Sequence, residues 1–404
     1  MGYRLAILDS HPIQYQAPLF RKLSKHPEID LMVYFCADWG VQEEYFDAGF
    51  QRRIKWDVPL LEGYSHRFLR NYSLLRSRGG FFGFLNPGII RELWRGRYDA
   101  IIIHGWASMT NWLAMLGAKL AGTAVFMRGD SVLLYKSPWW KRLIKRLILP
   151  CLFRRVVDAF LLTGVMNGDF YLHYGVPKDR LFLAPYAVDN EFFFFESAPY
   201  RSNKDLMRKN LGLPTDAVII LFVGKLVKRK RPLDLLKAFE ALSVAKTKKS
   251  ALVFVGDGEE RASLEEYVRH RAIHDVYFLG FQNQAALPKI YASADIFVLP
   301  SEMDPRGTVV NEAMACGLPI IISDKVGIYG TGDILRNGEN GFVYPVGDIV
   351  ALSKYLRILL EDEDLRRRMG QRSLEIISKW DYDACIEGIL KALEYVKRRG
   401  KNVH

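Results

Sequence analysis

Residues 299–324, LPSEMDPRGTVVNEAMACGLPIIISD, decide the reading of this chain. The apolar run 296–299 predicts a buried strand, and Pro300, Pro305 and Gly307 punctuate the loop after it. A helix rich in Ala, Met and Val is expected from about Thr308. Gly317-Leu318-Pro319 stops it, and 320–322 begins the next strand. Two carboxylates, Asp304 and Glu312, stand eight positions apart across the loop-to-helix junction. Between them fall the N–H groups of Gly307, Thr308 and Val309, which a helix start leaves without intrahelical acceptors. With the helix dipole they form a ready site for an anion. Glu312 lies one turn into a helix otherwise suited to burial, so its charge needs a partner, and sugar hydroxyls are good ones. The bland alternative for the same residues is a helix cap and a rim glutamate.

The string resembles the signature of the retaining family-four glycosyltransferases of the GT-B fold, roughly P-S-x-x-E-P-x-G-x-x-x-x-E-A-M-A-x-G-x-P. Pro300, Ser301, Pro305, Gly307, Glu312, Ala313, Met314, Ala315, Gly317 and Pro319 match in register. Asp304 replaces the first glutamate, and Arg306 stands where an aromatic residue is usual. The resemblance implies an α/β GT-B fold: two Rossmann-like, doubly wound domains facing a central cleft, with a C-terminal helix crossing back to the first domain. It assigns Glu312 to ribose hydroxyls of a nucleotide-diphosphate sugar and Asp304 to hydroxyls of the transferred sugar. It further implies retention of anomeric configuration, without a protein nucleophile.

Bulk properties agree with such an enzyme. The chain has 404 residues, half of them hydrophobic and a quarter charged, which suits two or three globular domains. No apolar window is long enough for a membrane-spanning helix. The start, MGYRLAILDSHPIQY, is read as a first strand and not a signal peptide. Cys36, Cys151, Cys316 and Cys385 are far apart, and reduced core thiols in a cytoplasmic protein are expected. The net charge of +12 implies an acidic partner: nucleic acid, an anionic membrane or a phosphorylated substrate.

Strand-length apolar runs alternate with helical segments throughout, at 5–8, 31–35, 100–103, 124–127, 160–162 and 181–184, then 218–223, 252–255, 276–279, 296–299, 320–322 and 342–344. The pattern argues for parallel α/β architecture. The expected organisation is an acceptor-side domain at 1–195, a linker at 196–215, a nucleotide-sugar domain at 216–380 and a returning helix at 381–404. Residues 37–98 are the least regular and hold Trp39, Tyr45, Phe46, Arg52, Arg53, Trp56, His66 and Arg70. They form the candidate acceptor wall, with a plain structural loop as the equal alternative.

The run 219–223 leads into Gly224-Lys225-Leu226-Val227-Lys228-Arg229-Lys230-Arg231 at the end of a domain's first strand, where doubly wound folds bind ligands. The family carries G-[RK]-L-x-x-x-K-G here. Gly224, Lys225 and Lys230 match and are implied to grip the donor diphosphate, while Arg231 replaces a glycine. Lys225, Lys230 and the amides after Gly307 would hold that diphosphate as it leaves. Phe281 follows another strand, where the family meets the nucleobase largely through backbone; UDP is favoured over GDP as the donor's nucleotide. Gly256-Asp257-Gly258 lacks the third glycine of a dinucleotide fingerprint and is read as a tight corner.

His104 ends the run 100–103, and the family often has a catalytic-site histidine there. His11, Gln14, Arg128 and Asp130 also follow strands and are acceptor-side candidates. No metal site is expected, since Asp362-Glu363-Asp364 and Asp381-Tyr382-Asp383 look like helix caps, and no histidines have ligand spacing. No cofactor beyond the donor sugar is implied.

Between Pro138 and Pro150 lies WWKRLIKRLIL. On a helical wheel Trp139, Trp140, Leu143, Ile144, Leu147 and Ile148 share one arc, and Lys141, Arg142, Lys145 and Arg146 the other. Such a helix suits an anionic membrane surface, or else its apolar arc packs on the domain. The leading reading is therefore a metal-independent glycosyltransferase acting on a cell-envelope glycan or lipid-linked acceptor, cytoplasmic or peripheral on the inner membrane face. Alternatives are an inactive nucleotide-sugar-binding subunit and a nucleotide-sugar epimerase of the same fold. Nucleic-acid binding has only charge in its favour.

Overall fold

The computed structural model describes residues 2–41, 44–75, 80–136, 138–244 and 248–401. They fall into two compact units. One comprises Met1–Glu44, Val58–Tyr186 and Tyr382–His404, and the other Tyr45–Asp57 and Ala187–Asp381. Both are α/β units built on wholly parallel sheets of buried, β-branched and aromatic strands, the pattern expected where helices cover both faces.

The first unit's sheet runs, edge to edge, through His66–Phe68, Ile29–Phe35, Tyr3–Asp9, Ala100–His104, Ala124–Gly129, Ala159–Leu162 and Leu181–Leu183. The chain begins at Tyr3–Asp9, winds outward to one edge, and restarts at Ala100–His104 to wind to the other. The register Leu5↔Ala100 to Leu8↔Ile103 therefore marks a topological switch point. Ile101, Ile103, Val125, Met127 and Phe160 are buried in the core beside this seam.

The second unit repeats the scheme with Val276–Phe278, Ser250–Val255, Val218–Val223, Ile296–Leu299, Ile320–Ser323 and Gly341–Tyr344. Its switch point lies between Val218–Val223 and Ile296–Leu299, paired at Ile220↔Ile296 and Leu221↔Phe297. The two loops that leave these strands are the basic loop 224–231 and the signature loop 300–307.

The C-terminal helix Tyr382–Lys401 packs on the first unit. Gly388 lies so close to the end of Leu181–Leu183 that a Cβ there would sit 2.0 Å from the Leu183 carbonyl oxygen. Tyr382 donates to the Tyr15 carbonyl at 2.8 Å, and Asp383 accepts from Lys22 at 2.7 Å. Residues 402–404 of the expected returning helix lie outside the described residues.

Two expectations change. The stretch 196–215, expected as a linker, is largely helical, within Asn190–Arg201 and Lys204–Asn210. Asp189 and Asn203 cap these helices by accepting from Phe192 N and Leu206 N. Phe193 anchors the first against Tyr291, at 5.9 Å between ring centroids. The second change concerns the candidate acceptor wall. Its segment Tyr45–Asp57 belongs to the second unit, as an antiparallel hairpin pairing Tyr45–Asp47 with Arg52–Ile54.

Candidate active site

The donor-site candidates gather at the second unit's switch point. Helix Thr308–Ala315 starts after Gly307, whose φ of +50° lets the chain turn sharply out of the loop. Asp304 accepts from Gly307 N at 2.8 Å through Oδ1, while its Oδ2 takes a short hydrogen bond from Lys230 Nζ. Burial alone would raise the Asp304 pKa. The Lys230 charge and hydrogen bond, the Gly307 amide and Arg229 outweigh it and hold the carboxyl below its ordinary range. The next amides, Thr308 and Val309, open the helix and have no intrahelical acceptors.

Glu312 sits one turn deeper with only 7% of its surface exposed. Tyr291 Oη donates to its Oε2 at 2.8 Å. Burial pushes the carboxyl up to about 7, although hydrogen bonds from Tyr291 and Gln284 act in the other direction. Its carboxyl is thus held above its ordinary range, unlike that of Asp304 close by in sequence.

The basic loop is tied to the signature loop at several points. Glu302 N donates to the Arg229 carbonyl at 2.9 Å, and Arg229 Nη1 donates to the Met303 carbonyl at 3.2 Å. Arg231, where the family has glycine, adopts φ +52°, which explains the usual glycine. Its guanidinium is held by Asp234 at 2.6 Å and Glu302 at 3.1 Å. Arg306, the other departure, is buried, and its Nη1 lies 3.9 Å from the buried carboxylate of Asp333. The aromatic of the family is thus replaced by a charge answered inside the domain.

Lys225 differs from Lys230 in what it meets. Its Nζ donates to both carboxylate oxygens of Asp47, at 2.7 and 2.9 Å, and lies 4.8 Å from the centre of the Phe50 ring. Phe281 donates its backbone N–H to Asp257 at 3.1 Å. Its ring meets Phe50 edge-on at 5.0 Å, with the Arg52 guanidinium 4.9 Å from its centre. Asp257 also binds Arg52 at 3.2 Å and Arg261 at 2.5 Å. Gly256 and Gly258 are a structural corner: added Cβ atoms would lie 1.9 Å from Gly224 O and 2.4 Å from Leu226 O.

In the first unit, His11 and Gln14 follow Tyr3–Asp9 and His104 ends Ala100–His104, the two strands of its switch point, while Arg128 and Asp130 are at the end of the neighbouring strand Ala124–Gly129. His104 ends its strand partly buried, and its carbonyl accepts from Asn111 Nδ2 at 2.8 Å. Burial lowers its pKa and Arg128 adds to this, while Asp9 and Asp130 pull it up. His11 Nδ1 pairs with Ser10 Oγ at 2.9 Å, and its ring lies 5.5 Å from Trp39. Gln14 is partly buried and Asp130 is exposed. Arg128 is buried, donating to the Pro185 carbonyl at 3.1 Å and lying over the Tyr186 ring at 5.3 Å, so it braces a corner of the unit.

Sequence reasoning missed Asp47, Phe50, Tyr291 and Gln284. Asp47-Ala48-Gly49 carries a legible turn signal, since Asp47 Oδ1 accepts from Gly49 N and Phe50 N at 2.8 and 3.0 Å. Its partner, 178 residues away, leaves no local trace. Among the described residues no cluster of three or more His, Cys, Asp or Glu side chains could hold a metal ion.

Comparison with known proteins agrees with this arrangement. Residues 203–375 match the family Glycosyl transferases group 1. N-acetyl-alpha-D-glucosaminyl L-malate synthase of Bacillus anthracis is 32% identical over 46% of this chain and 47% of its own length. The chain thus spans about half the length of that relative. UDP-Gal:alpha-D-GlcNAc-diphosphoundecaprenol alpha-1,3-galactosyltransferase of Escherichia coli is 27% identical over 91% of this chain and 86% of its own. The fold is shared with HepE of Anabaena, solved with UDP and glucose, at a TM-score of 0.72 and 17% identity over 97% of this chain and all of that one. The family match spans both the basic loop and the signature loop, so residues 203–375 are similar to the group 1 glycosyltransferases, within a GT-B fold that the whole chain shares with the solved structures.

Proposed function

We propose that the protein is a retaining glycosyltransferase that moves a sugar from a nucleotide-diphosphate sugar, with UDP as the favoured nucleotide, to a cell-envelope glycan or lipid-linked acceptor. The observation that carries the reading is the meeting of Lys230, Asp304 and the start of helix Thr308–Ala315, at a switch point that also presents Lys225. Breaking a sugar–phosphate bond builds positive charge on the anomeric carbon and negative charge on the departing diphosphate. Lys230, Lys225 and the Thr308 and Val309 amides supply fixed positive charge for the latter. One cation about 4 Å from a phosphate charge is worth roughly 4 kcal/mol at an effective dielectric of 20, before desolvation. That is a role a metal ion plays in other transferases, so we propose that transfer is insensitive to chelators.

Glu312, in its ionised form, accepts from ribose hydroxyls, and Asp304 from hydroxyls of the transferred sugar. The acceptor hydroxyl arrives on the face the diphosphate leaves and passes its proton to the departing phosphate oxygen, which yields net retention. The first unit takes the acceptor, with His104, His11 and Gln14 at its switch point and Asp130 after the adjoining strand as the groups that meet it. Support for UDP and for an envelope acceptor comes from relatives: HepE was solved with UDP, and the Escherichia coli relative is named for UDP-Gal and a diphosphoundecaprenol acceptor.

Helix Trp139–Arg155 supports a peripheral membrane location. No described helix is long and apolar enough to cross a membrane. The apolar arc of this helix is exposed. Trp139 is 71% and Leu147 69% exposed, and Trp140, Leu143, Ile144 and Ile148 are exposed with them. Full burial begins at Leu149, with Leu152 and Phe153. An apolar face with Trp at its edge, backed by Lys141, Arg142, Lys145 and Arg146, matches an anionic bilayer surface.

The test is transfer of labelled sugar from UDP-sugars to a membrane lipid extract, with and without EDTA, and anomeric analysis of the product. Retained configuration with full activity in EDTA is expected. Donor turnover without acceptor would favour an epimerase instead, and an inverted product would end the retaining reading.

A further inference from the structure

We infer that the hairpin Tyr45–Asp57 is an internal occupant of the donor site, and that the donor must displace Asp47 from Lys225 to bind. The inference rests on the donor-site reading above and adds to it the residue that sets donor affinity. Asp47 does to Lys225 what a diphosphate would: two anionic oxygens take two of its ammonium protons, at 2.7 and 2.9 Å. The rest of the lysine is closely covered. A Cβ on Gly49 would lie 2.5 Å from Lys225 Cδ, so a larger residue at the hairpin tip would push the lysine side chain aside. The Phe50 ring covers the ammonium, and the Gly49 carbonyl oxygen comes within 3.0 Å of where a Gly258 Cβ would be.

The hairpin also covers the end where the base is expected. Phe50 and Trp56 flank the Phe281 ring at 5.0 and 6.3 Å between centroids, and Arg52 lies over it. Its outer strand is pinned by polar bonds that can be remade with water: Arg52 to Asp257 at 3.2 Å, the Lys55 carbonyl to Asn283 Nδ2 at 2.8 Å, and Asp57 to Ala285 N at 3.2 Å. Among the described ion pairs of the hairpin, only Asp47–Lys225 has both side chains less than one-third exposed. A carboxylate left beside an arriving diphosphate would repel it, so the two anions exclude each other at Lys225.

The experiment is titration calorimetry of the full chain with UDP and with GDP, on wild type, Asp47→Asn, Arg52→Ala and Lys230→Ala. Asn keeps the oxygen that accepts from Gly49 and Phe50 and removes the charge together with the second acceptor for Lys225; Arg52→Ala loosens the hairpin without touching Lys225 and serves if the first variant fails to fold. Binding about tenfold tighter in either hairpin variant, and lost in Lys230→Ala, is the expected result. Unchanged or weaker binding in both hairpin variants, with loss in Lys230→Ala, would overturn the hairpin's role and leave the donor site standing. Absence of binding in wild type and both hairpin variants would overturn the donor site itself, and the hairpin's role with it.

Discussion

The hydroxyl of Tyr291 donates to the carboxylate of Glu312 at 2.8 Å, in a place where that glutamate is almost wholly removed from water. One hydrogen bond from a neutral phenol does not offset the desolvation, so the carboxyl rises from an ordinary 4.5 to about 7. An acid with a raised folded value keeps its proton between those two pH values while the unfolded chain has already released it. Stability is therefore lost as pH climbs through about 4.5 to 7, by roughly 3 kcal/mol. Urea denaturation from pH 5 to 8 should show this decline, and Glu312→Gln should flatten it and be the more stable form above pH 7. The same ionisation links to ligand: if ribose hydroxyls donate to the carboxylate, UDP affinity should rise with pH up to about 7 in wild type and not in Glu312→Gln. An affinity independent of pH would remove Glu312 from the nucleotide.

The parts of this site that were legible in the sequence are those set by local chemistry. Gly307 and Pro305 shape a loop, Thr308–Ala315 is a helix by its Ala and Met content, and Lys225 and Lys230 follow an apolar strand. The alternation of buried strands with helices likewise carries the two doubly wound sheets, because parallel strands buried on both faces read as unbroken apolar runs. What was not legible is pairing across long separations. Nothing near Asp47 names Lys225, and nothing near Glu312 names Tyr291, which comes from the helix Leu287–Ser293. The helix Asn190–Arg201, which runs into the expected linker, is likewise set by contacts beyond its own sequence: Asp189 caps it and Phe193 finds a buried seat.

Lys230 and Asp304 form a pair with both side chains about seven-eighths buried, so each is costly without the other. Lys230→Ala should destabilise the protein by about 3–5 kcal/mol, since it leaves the Asp304 charge unpaired. The double variant Lys230→Ala/Asp304→Asn should recover most of that loss. Transfer activity should stay low in both, by roughly 3 kcal/mol of barrier, because the cation facing the diphosphate is gone from each. Melting and turnover measured on wild type and both variants separate the two roles. Recovery of turnover along with stability would mean that Lys230 acts only as the partner of Asp304.

Arg231 tests the left-handed turn at the end of the basic loop. A side chain at φ +52° carries about 1–2 kcal/mol of backbone strain. The pairs with Asp234 and Glu302 are partly exposed and return about 1 kcal/mol or less. Glycine removes the strain and the pairs together, whereas alanine keeps the strain and loses the pairs. Arg231→Gly should therefore match wild type within about 1 kcal/mol, and Arg231→Ala should be the less stable by about 1 kcal/mol or more. Denaturant midpoints for the two variants give the comparison directly. Equal midpoints would mean that the backbone at 231 relaxes out of the left-handed region when the side chain is shortened.

The exposed half of Trp139–Arg155 makes a prediction that does not depend on catalysis. Each basic residue near an anionic surface contributes about 1 kcal/mol, so replacing Lys141, Arg142, Lys145 and Arg146 with Gln should weaken vesicle binding by roughly a thousandfold. Replacing Trp139 and Leu147 with Ser should weaken it on neutral and anionic vesicles alike, because those side chains contribute apolar area and not charge. Wild type should float with vesicles containing anionic lipid, and salt should release it by screening the basic arc. Five of the six positions are exposed and Lys145 is partly so, so neither set should alter the melting temperature by more than a degree or two. Binding that ignores both salt and the Gln substitutions would assign the helix to a protein partner, with its apolar arc as the interface. A lipid-linked acceptor makes the membrane outcome consequential, since enzyme and acceptor then share a surface and kcat/KM on vesicles should fall in step with binding across both sets of variants.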